Sequence, residues 1–506
     1  MIDSAYAIYM SSPIIIPFPQ ALPQVLPTIE GNVDYRDLRD QLLRIDELLT
    51  LSGLETQLLQ KDMERWFSEH KRVSGKAQQN HLRHSQRALR CDIARILYKE
   101  EYRGFAARLA DSPLLQYFCK IGEVDRVQVP AKSTLQRYAG WWQESEVREI
   151  IYNLLNLGAT APQQLKMAQP LDLETCFLDS TCLSVNIHYP VDWVLMRDAT
   201  CTLMQSVQLI RAQGLKHRME EPRLFVSRIN KLCMAMTHAW HRTEAQESQR
   251  QRKKILRQMD RLVGTVRHHA RRYRDLLEES WASTPWTRPQ ARQVLARMDQ
   301  VLEQLPQARR QARQRILQNK LVANEEKILS LYEPDVHVIV RKKAGAEVEF
   351  GNTLLLGENV QGVMTDWKLF RESAPADAQL LPGSVARMQE AFGPALKALA
   401  GDRGFDSQTN RLGLQEEKIY NALCPRSPQQ LKERNRCWKF KKLQRRRAQT
   451  EGRIAILKNV FLGGPIRSKG FAHRELTVTW TVLVHNLWAL ARLQPAPPAQ
   501  AQEKAA

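Results

Sequence analysis

Three acidic residues stand in contexts where an acid is either costly or able to do chemistry. Asp179 closes the run Leu173-Glu174-Thr175-Cys176-Phe177-Leu178, which reads as a short, mostly buried strand, and is followed by Ser180 and Thr181. A carboxylate at the end of a buried strand is expensive unless something pairs with it, and a divalent metal is one such partner. Asp402 lies where the apolar run Leu396 to Ala400 meets Gly401-Asp402-Arg403-Gly404-Phe405-Asp406-Ser407. The flanking glycines lower backbone crowding, so a metal can approach. Its competing reading is a turn aspartate capping the next helix, a role for which Asp406 is the better choice. Glu451 lies on a helical run from Arg447 that continues to Lys458. Offsets of four and seven residues put Arg447, Glu451 and Lys458 on one helical face. Either the cations hold a substrate phosphate there, or Glu451 is a surface acid paired with Arg447, and spacing alone does not choose.

Three carboxylates on separate elements are what a two-metal phosphoryl-transfer site requires. Carboxylates are hard oxygen ligands suited to Mg²⁺ or Mn²⁺. Two such ions activate an attacking oxygen and stabilise a leaving one, with no protein nucleophile. The chain has no Gly-rich phosphate loop, no G-x-S-x-G and no H-E-x-x-H. Its eight cysteines form no C-x-x-C pair, which fits a reduced cytosolic protein without a zinc site. Neither a signal peptide nor a membrane span is expected. A net charge of +21 on 506 residues favours a polyanionic partner, most simply nucleic acid, over a merely soluble basic protein.

The elements that must carry these residues follow from the apolar pattern. Residues 1–33 are Pro-rich and read as an irregular arm, and 494–506 as a disordered tail. Residues 34–165 have helical spacing. Within them Tyr102 to Leu109, Leu114 to Cys119 and an N-capped Val129 to Tyr138 read as a helix-turn-helix-like DNA-binding unit bearing Lys132 and Arg137, or as an ordinary helical bundle. Strand character begins in 171–190, vanishes over the Arg-rich 191–324, and returns at Val336 to Arg341, Val348 to Leu356, Gly362 to Phe370 and Lys418 to Cys424. Residues 171–190 and 325–493 are thus expected to form an α/β domain split by an all-helical insertion. Dense charge along the helices of 191–324 reads as a solvated face or as a phosphate-contacting one. The run Arg434 to Arg447, including Arg445 and Arg446, adds positive potential beside Glu451.

Together these residues resemble the DDE transposases of bacterial insertion sequences. The likeness rests on Asp-Ser-Thr at Asp179, Gly-Asp-Arg-Gly-Phe-Asp-Ser at Asp402, and Arg-x3-Glu-x6-Lys from Arg447 to Lys458. The last is similar to the family's Y-R-E-K signature, with Gln444 where the family has tyrosine. Asn186 to Pro190, Lys327 to Pro334, Glu349-Phe350-Gly351 and Val484 to Leu487 are similar to its ISNCY-like branch, and residues 101–142 resemble its N-terminal domain.

The resemblance implies an RNase H-like catalytic domain interrupted by a helical insertion, with an N-terminal all-α domain. It implies metal-dependent cleavage at insertion-sequence ends and strand transfer into target DNA. Asp179, Asp402 and Glu451 would be the catalytic metal ligands for two Mg²⁺ or Mn²⁺ ions. Arg447, Lys458, Lys132, Arg137, Arg445 and Arg446 would contact DNA. Asp335 and Asp366 are rival acids outside the matching motifs. The expected partners are terminal inverted repeats and target duplex, with a homodimer on DNA, in the bacterial cytoplasm beside the nucleoid. The alternatives are an inactive transposase-derived DNA-binding protein and a structure-specific nuclease of the same fold.

Overall fold

The computed structural model describes residues 30–493 except 71–73, 123–125, 241–244 and 344–345. The expected arm, apart from its last residues, and the expected tail lie outside the described residues. The fold is mixed α/β, built on one six-stranded mixed sheet. Its centre is β1 (Thr175–Ser184). On one side β1 pairs antiparallel with the long β3 (Ala346–Glu358), whose outer edge carries β2 (His337–Lys343) and then β4 (Met364–Leu369). On the other side β1 pairs parallel with β5 (Ala398–Gly401), which pairs parallel with β6 (Tyr420–Leu423).

Side-chain alternation along β1 divides the sheet's surroundings. Cys176 and Leu178 join Leu355, Leu399 and Leu423 under α12 (Asp377–Phe392) and α13 (Gln408–Glu416). Phe177 faces the other way. There it meets Ala400, Ala422 and Phe440 of α15 (Trp438–Arg447), with Leu431 of α14 (Pro428–Arg434) packed against them. Farther along the same face, Leu183, Leu354 and Leu356 share a core with α17 (Phe471–Ala491). Each fully buried Phe or Leu here contributes roughly 1.5–3 kcal/mol, which fixes the strand register that the acids depend on.

The N-terminal helices α1 (Val33–Leu51), α2 (Leu54–Glu69), α3 (Gly75–Leu97), α4 (Tyr102–Asp111), α5 (Pro113–Phe118), α6 (Lys132–Tyr138) and α7 (Glu144–Thr160) belong largely to the same core as α17. Ser112 caps α5 through its hydroxyl, with Pro113 at the first helical position. The expected cap of α6 is absent: Ala131 occupies the cap position and makes no side-chain bond.

Between β1 and β2 come α8 (Asp192–Ala212), α9 (Pro222–Trp240), α10 (Ala245–Ser280) and α11 (Arg288–Ala312), which enclose a core of their own. Their exit is pinned to the last helix. Glu333 accepts from the Gly470 amide at 3.0 Å and pairs with the fully buried Arg474 of α17. No helix among the described residues is long and apolar enough to cross a membrane.

Candidate functional site

Asp179 does not end its strand. It lies mid-way along β1, which runs on to Ser184, opposite Leu356 of β3. The apolar run before Asp179 is only the first half of the strand; Cys182 and Leu183 resume burial after the hydroxyls. Being two residues from Phe177, Asp179 shares that residue's face of the sheet. The parallel register pairs Phe177 with Ala400. Carried two residues further, it brings Asp402, the residue after β5, beside Asp179 on the same face. A Cβ at Gly404 would come within 3.0 Å of Asp402 Oδ1 and 2.7 Å of Asp377 Oδ2, so a side chain there would push on both carboxylates.

The third acid arrives from above. Gln444 of α15 donates to the carbonyls of Gly401 (3.2 Å) and Ala422 (2.5 Å), fastening the helix across the ends of β5 and β6. The single helical run expected from Arg447 to Lys458 is broken. The α15 helix ends at Arg447, Ala448 and Gln449 intervene, α16 spans Thr450–Ile456, and a π-helical turn covers Leu457–Phe461. The common face inferred from 3.6-residue spacing therefore does not carry over. The residues meet by another route, because α16 packs directly on β1. Lys458 Nζ donates to Thr181 Oγ1 at 3.2 Å.

Charge reports the convergence. Burial pushes the Asp179 carboxyl up to about 6, opposed by the Ser180 amide and Arg447 and reinforced by the like charges of Asp402 and Glu451. Asp179 thus feels both other acids and Arg447 at once. One oxygen of each aspartate is engaged locally, Asp179 Oδ1 by the Ser180 amide (2.8 Å) and Asp402 Oδ1 by the Gly404 amide (2.8 Å). Glu451 is exposed. Among the described residues no three His, Cys, Asp or Glu side chains are arranged to hold a metal ion as they stand. The donor set is nonetheless all carboxylate, and its mutual repulsion in a half-buried place is what a bound cation relieves.

The basic residues divide. Arg447 is half-buried, and its Nε has no hydrogen-bond partner among the described residues. Arg445, Lys132 and Arg137 are exposed, the last two on α6, where Arg137 bonds Thr134 at 3.1 Å. Arg446, expected on DNA, is used inside the fold. It pairs with Glu358 at 2.7 Å, donates to the carbonyls of Asn359 and Val360, and lies over the Phe177 ring.

The rival acids are structural in their contacts. Asp366 is fully buried and held by Arg387 through two 2.7 Å bonds and by Ser384. Asp335 lies 3.9 Å from Arg371. Asp406 does not cap α13; Ser407 does, and Asp406 pairs instead with Arg411 and the Arg426 amide.

Two contributors were not visible in the sequence. Glu358, 1% exposed at the end of β3, accepts from Arg446 and from Thr450 Oγ1 (2.8 Å), and lies 3.5 Å from Arg453 Nε. It ties both helices that flank the site to the strand beside β1. Thr181 was legible only as part of Asp-Ser-Thr, and its link to Lys458 is long-range. No family model matches the chain, and no curated protein or solved structure matches it.

Proposed function

We propose that this chain is a DDE-type transposase, cutting DNA strands at the ends of an insertion sequence and joining them to target DNA. The observation that carries the reading is the β1–β5 register, which sets Asp402 beside Asp179 on one face of the sheet, under the helix that bears Glu451. The strand order supports an RNase H-like core: a central strand, two successive antiparallel neighbours on one side and two parallel ones on the other. In this reading Asp179, Asp402 and Glu451 would hold two Mg²⁺ or Mn²⁺ ions. When bound, such ions activate the attacking oxygen and neutralise charge on the leaving one.

The chain's own residues do the rest. Asp179 and Asp402 are fixed by strand register, so their separation is set before substrate arrives. Arg447 and Lys458 supply positive charge where negative charge grows on the phosphoryl oxygens. Gln444 has no phenol to offer; it holds α15 in place. Terminal-repeat and target duplexes are the substrates, with two copies of the chain on the DNA.

The test is purified protein with Mg²⁺ or Mn²⁺ and duplexes carrying the DNA that flanks its coding sequence. Metal-dependent nicking followed by joining to a second duplex is expected, with both lost and duplex binding kept in Asp402→Asn. Cleavage without joining would favour a nuclease. Binding with no cleavage under any metal would favour an inactive DNA-binding derivative.

A further inference from the structure

The insertion contains a feature that the acid site does not use. The 36-residue helix α10 buries Leu256, Met259, Val263, Val266, Ala270, Tyr273 and Leu277, in alternating steps of three and four, against its neighbours. Its outer edge has an equally regular order. Arg250, Lys254, Arg257, Arg261, Thr265, His268 and Arg272 are all exposed. At 100° per residue they fall within an arc of about 80°.

No acid lies in that arc between Arg250 and Arg272. Asp260 lies outside it, half-buried and paired with Arg309 and Arg313. Glu247 and Asp275 fall on the same edge just beyond its two ends. The basic stretch therefore has definite limits, and its 22 steps span about 33 Å at 1.5 Å each.

The stretch is also unpaired among the described residues. Several arginines elsewhere in the insertion are neutralised within the fold: Arg274 by Asp299, Arg309 by Asp260, Arg315 by Asp192, Arg211 by Glu221. Among the described residues none of Arg250, Lys254, Arg257, Arg261 and Arg272 has an ion-pair partner. The groove between α9 and α10 beside them, of about 370 Å³, is lined by Arg228, Lys231, Leu232, Gln258 and Leu262.

We propose that this edge of α10 is a phosphate track for duplex DNA, lying along about one helical turn. One turn of B-DNA rises about 34–36 Å, close to the length of the basic stretch from Arg250 to Arg272. The edge carries no exposed Phe, Tyr or Trp, and His268 is its one ring, so a single strand would find charge but no row of stacking platforms. It presents no apolar side chain for a bilayer interface, because the helix's apolar stripe faces the core. The track reads backbone and not sequence. The inference rests on the DNA-handling part of the reading above and is independent of its chemistry.

The experiment compares the full-length protein with Arg257→Gln/Arg261→Gln and with Arg288→Gln/Arg292→Gln, a charge-matched change at exposed positions of α11. Affinity for a duplex of about two turns and arbitrary sequence is measured from 50 to 200 mM salt, with melting temperature as the folding control. Each lost phosphate contact lowers the slope of log K against log salt by about 0.9. The α10 pair should therefore lower it by about two and weaken low-salt binding by tenfold or more, while the α11 pair changes neither beyond about twofold. An unchanged slope in the α10 variant, an equal loss in both variants, or a larger loss for a single strand of equal length would overturn the track. Normal binding with no cleavage in the wild type would sink the catalytic reading and leave this one intact.

Discussion

Lys458 donates to the hydroxyl of Thr181 at 3.2 Å, and Thr181 lies two residues from Asp179 on the same face of β1. The lysine is thus tethered to the strand that carries the first acid, although it comes from the π-helical turn after α16. Extra residues in a helical turn redirect side chains, and such turns recur at functional sites.

This tether yields a first prediction. A hydrogen bond to a charged group is worth about 1.5–3 kcal/mol net, so on a chain of this size Lys458→Ala should lower the melting temperature by only a few degrees. If its charge serves the developing phosphoryl transition state, strand cleavage at saturating DNA and metal should slow by about tenfold or more. A wild-type rate in that variant would exclude the role.

Glu358 supports a second prediction. It is buried, and Arg446, Thr450 and Arg453 all lean on it. Glu358→Gln leaves the Arg446 guanidinium without its counter-charge, which costs about 3–5 kcal/mol when the pair is buried. The melting temperature should fall accordingly, and amide exchange should quicken in α16 more than in the insertion helices. Uniform exchange across both regions would show that Glu358 does not position α16 in particular.

The third concerns metal. A ligand that binds only the folded state stabilises it by RT ln(1 + [L]/Kd), about 2.7 kcal/mol at a hundred times Kd. Millimolar Mn²⁺ should raise the melting temperature of the wild type, and the rise should vanish in Asp179→Asn. Equal shifts in both proteins would show that the ion binds elsewhere.

A fourth arises far from the site. Asp92 of α3 is fully enclosed, and burial pushes its carboxyl up to about 7, with Arg95 opposing from 3.8 Å. The folded state therefore keeps a proton that the unfolded chain loses near pH 4. Stability falls as pH rises from about 4 to 7, then levels off. Asp92→Asn removes that penalty, so its stability advantage should be absent at pH 4 and reach about 1–3 kcal/mol at pH 8. Urea titrations at the two pH values read it directly; an advantage independent of pH would refute the assignment.

Much of the layout was legible because it is local. The apolar run before Asp179, the apolar-to-glycine transition before Asp402, and the loss of strand alternation after Val191 all register within a few residues. What escaped was long-range. Nothing around Glu358 announces that two arginines and a threonine from a region some ninety positions later in the chain will converge on it. For the same reason Arg446, one of three adjacent arginines, read as a DNA contact while its neighbour Glu358 consumes it. The break at Ala448 and Gln449 was hidden because both residues are tolerated in a helix; packing of α16 on β1, not propensity, sets its direction.

The placement of the acids in the chain has a consequence for timing. Asp179 and Asp402 are neighbours across β1 and β5, yet the whole insertion is synthesised between them, and Glu451 emerges later still. Closing so long an intervening segment costs entropy that only the completed sheet offsets. On the ribosome, then, a nascent chain displays its basic insertion before its three acids can meet. A product that stops short of Thr450 keeps both aspartates but lacks the third acid, the helix packed on β1 and the last helix, which completes the core shared by the sheet and the N-terminal helices. Premature termination would therefore leave a self-packed insertion attached to a sheet whose central strand lacks its covering helices.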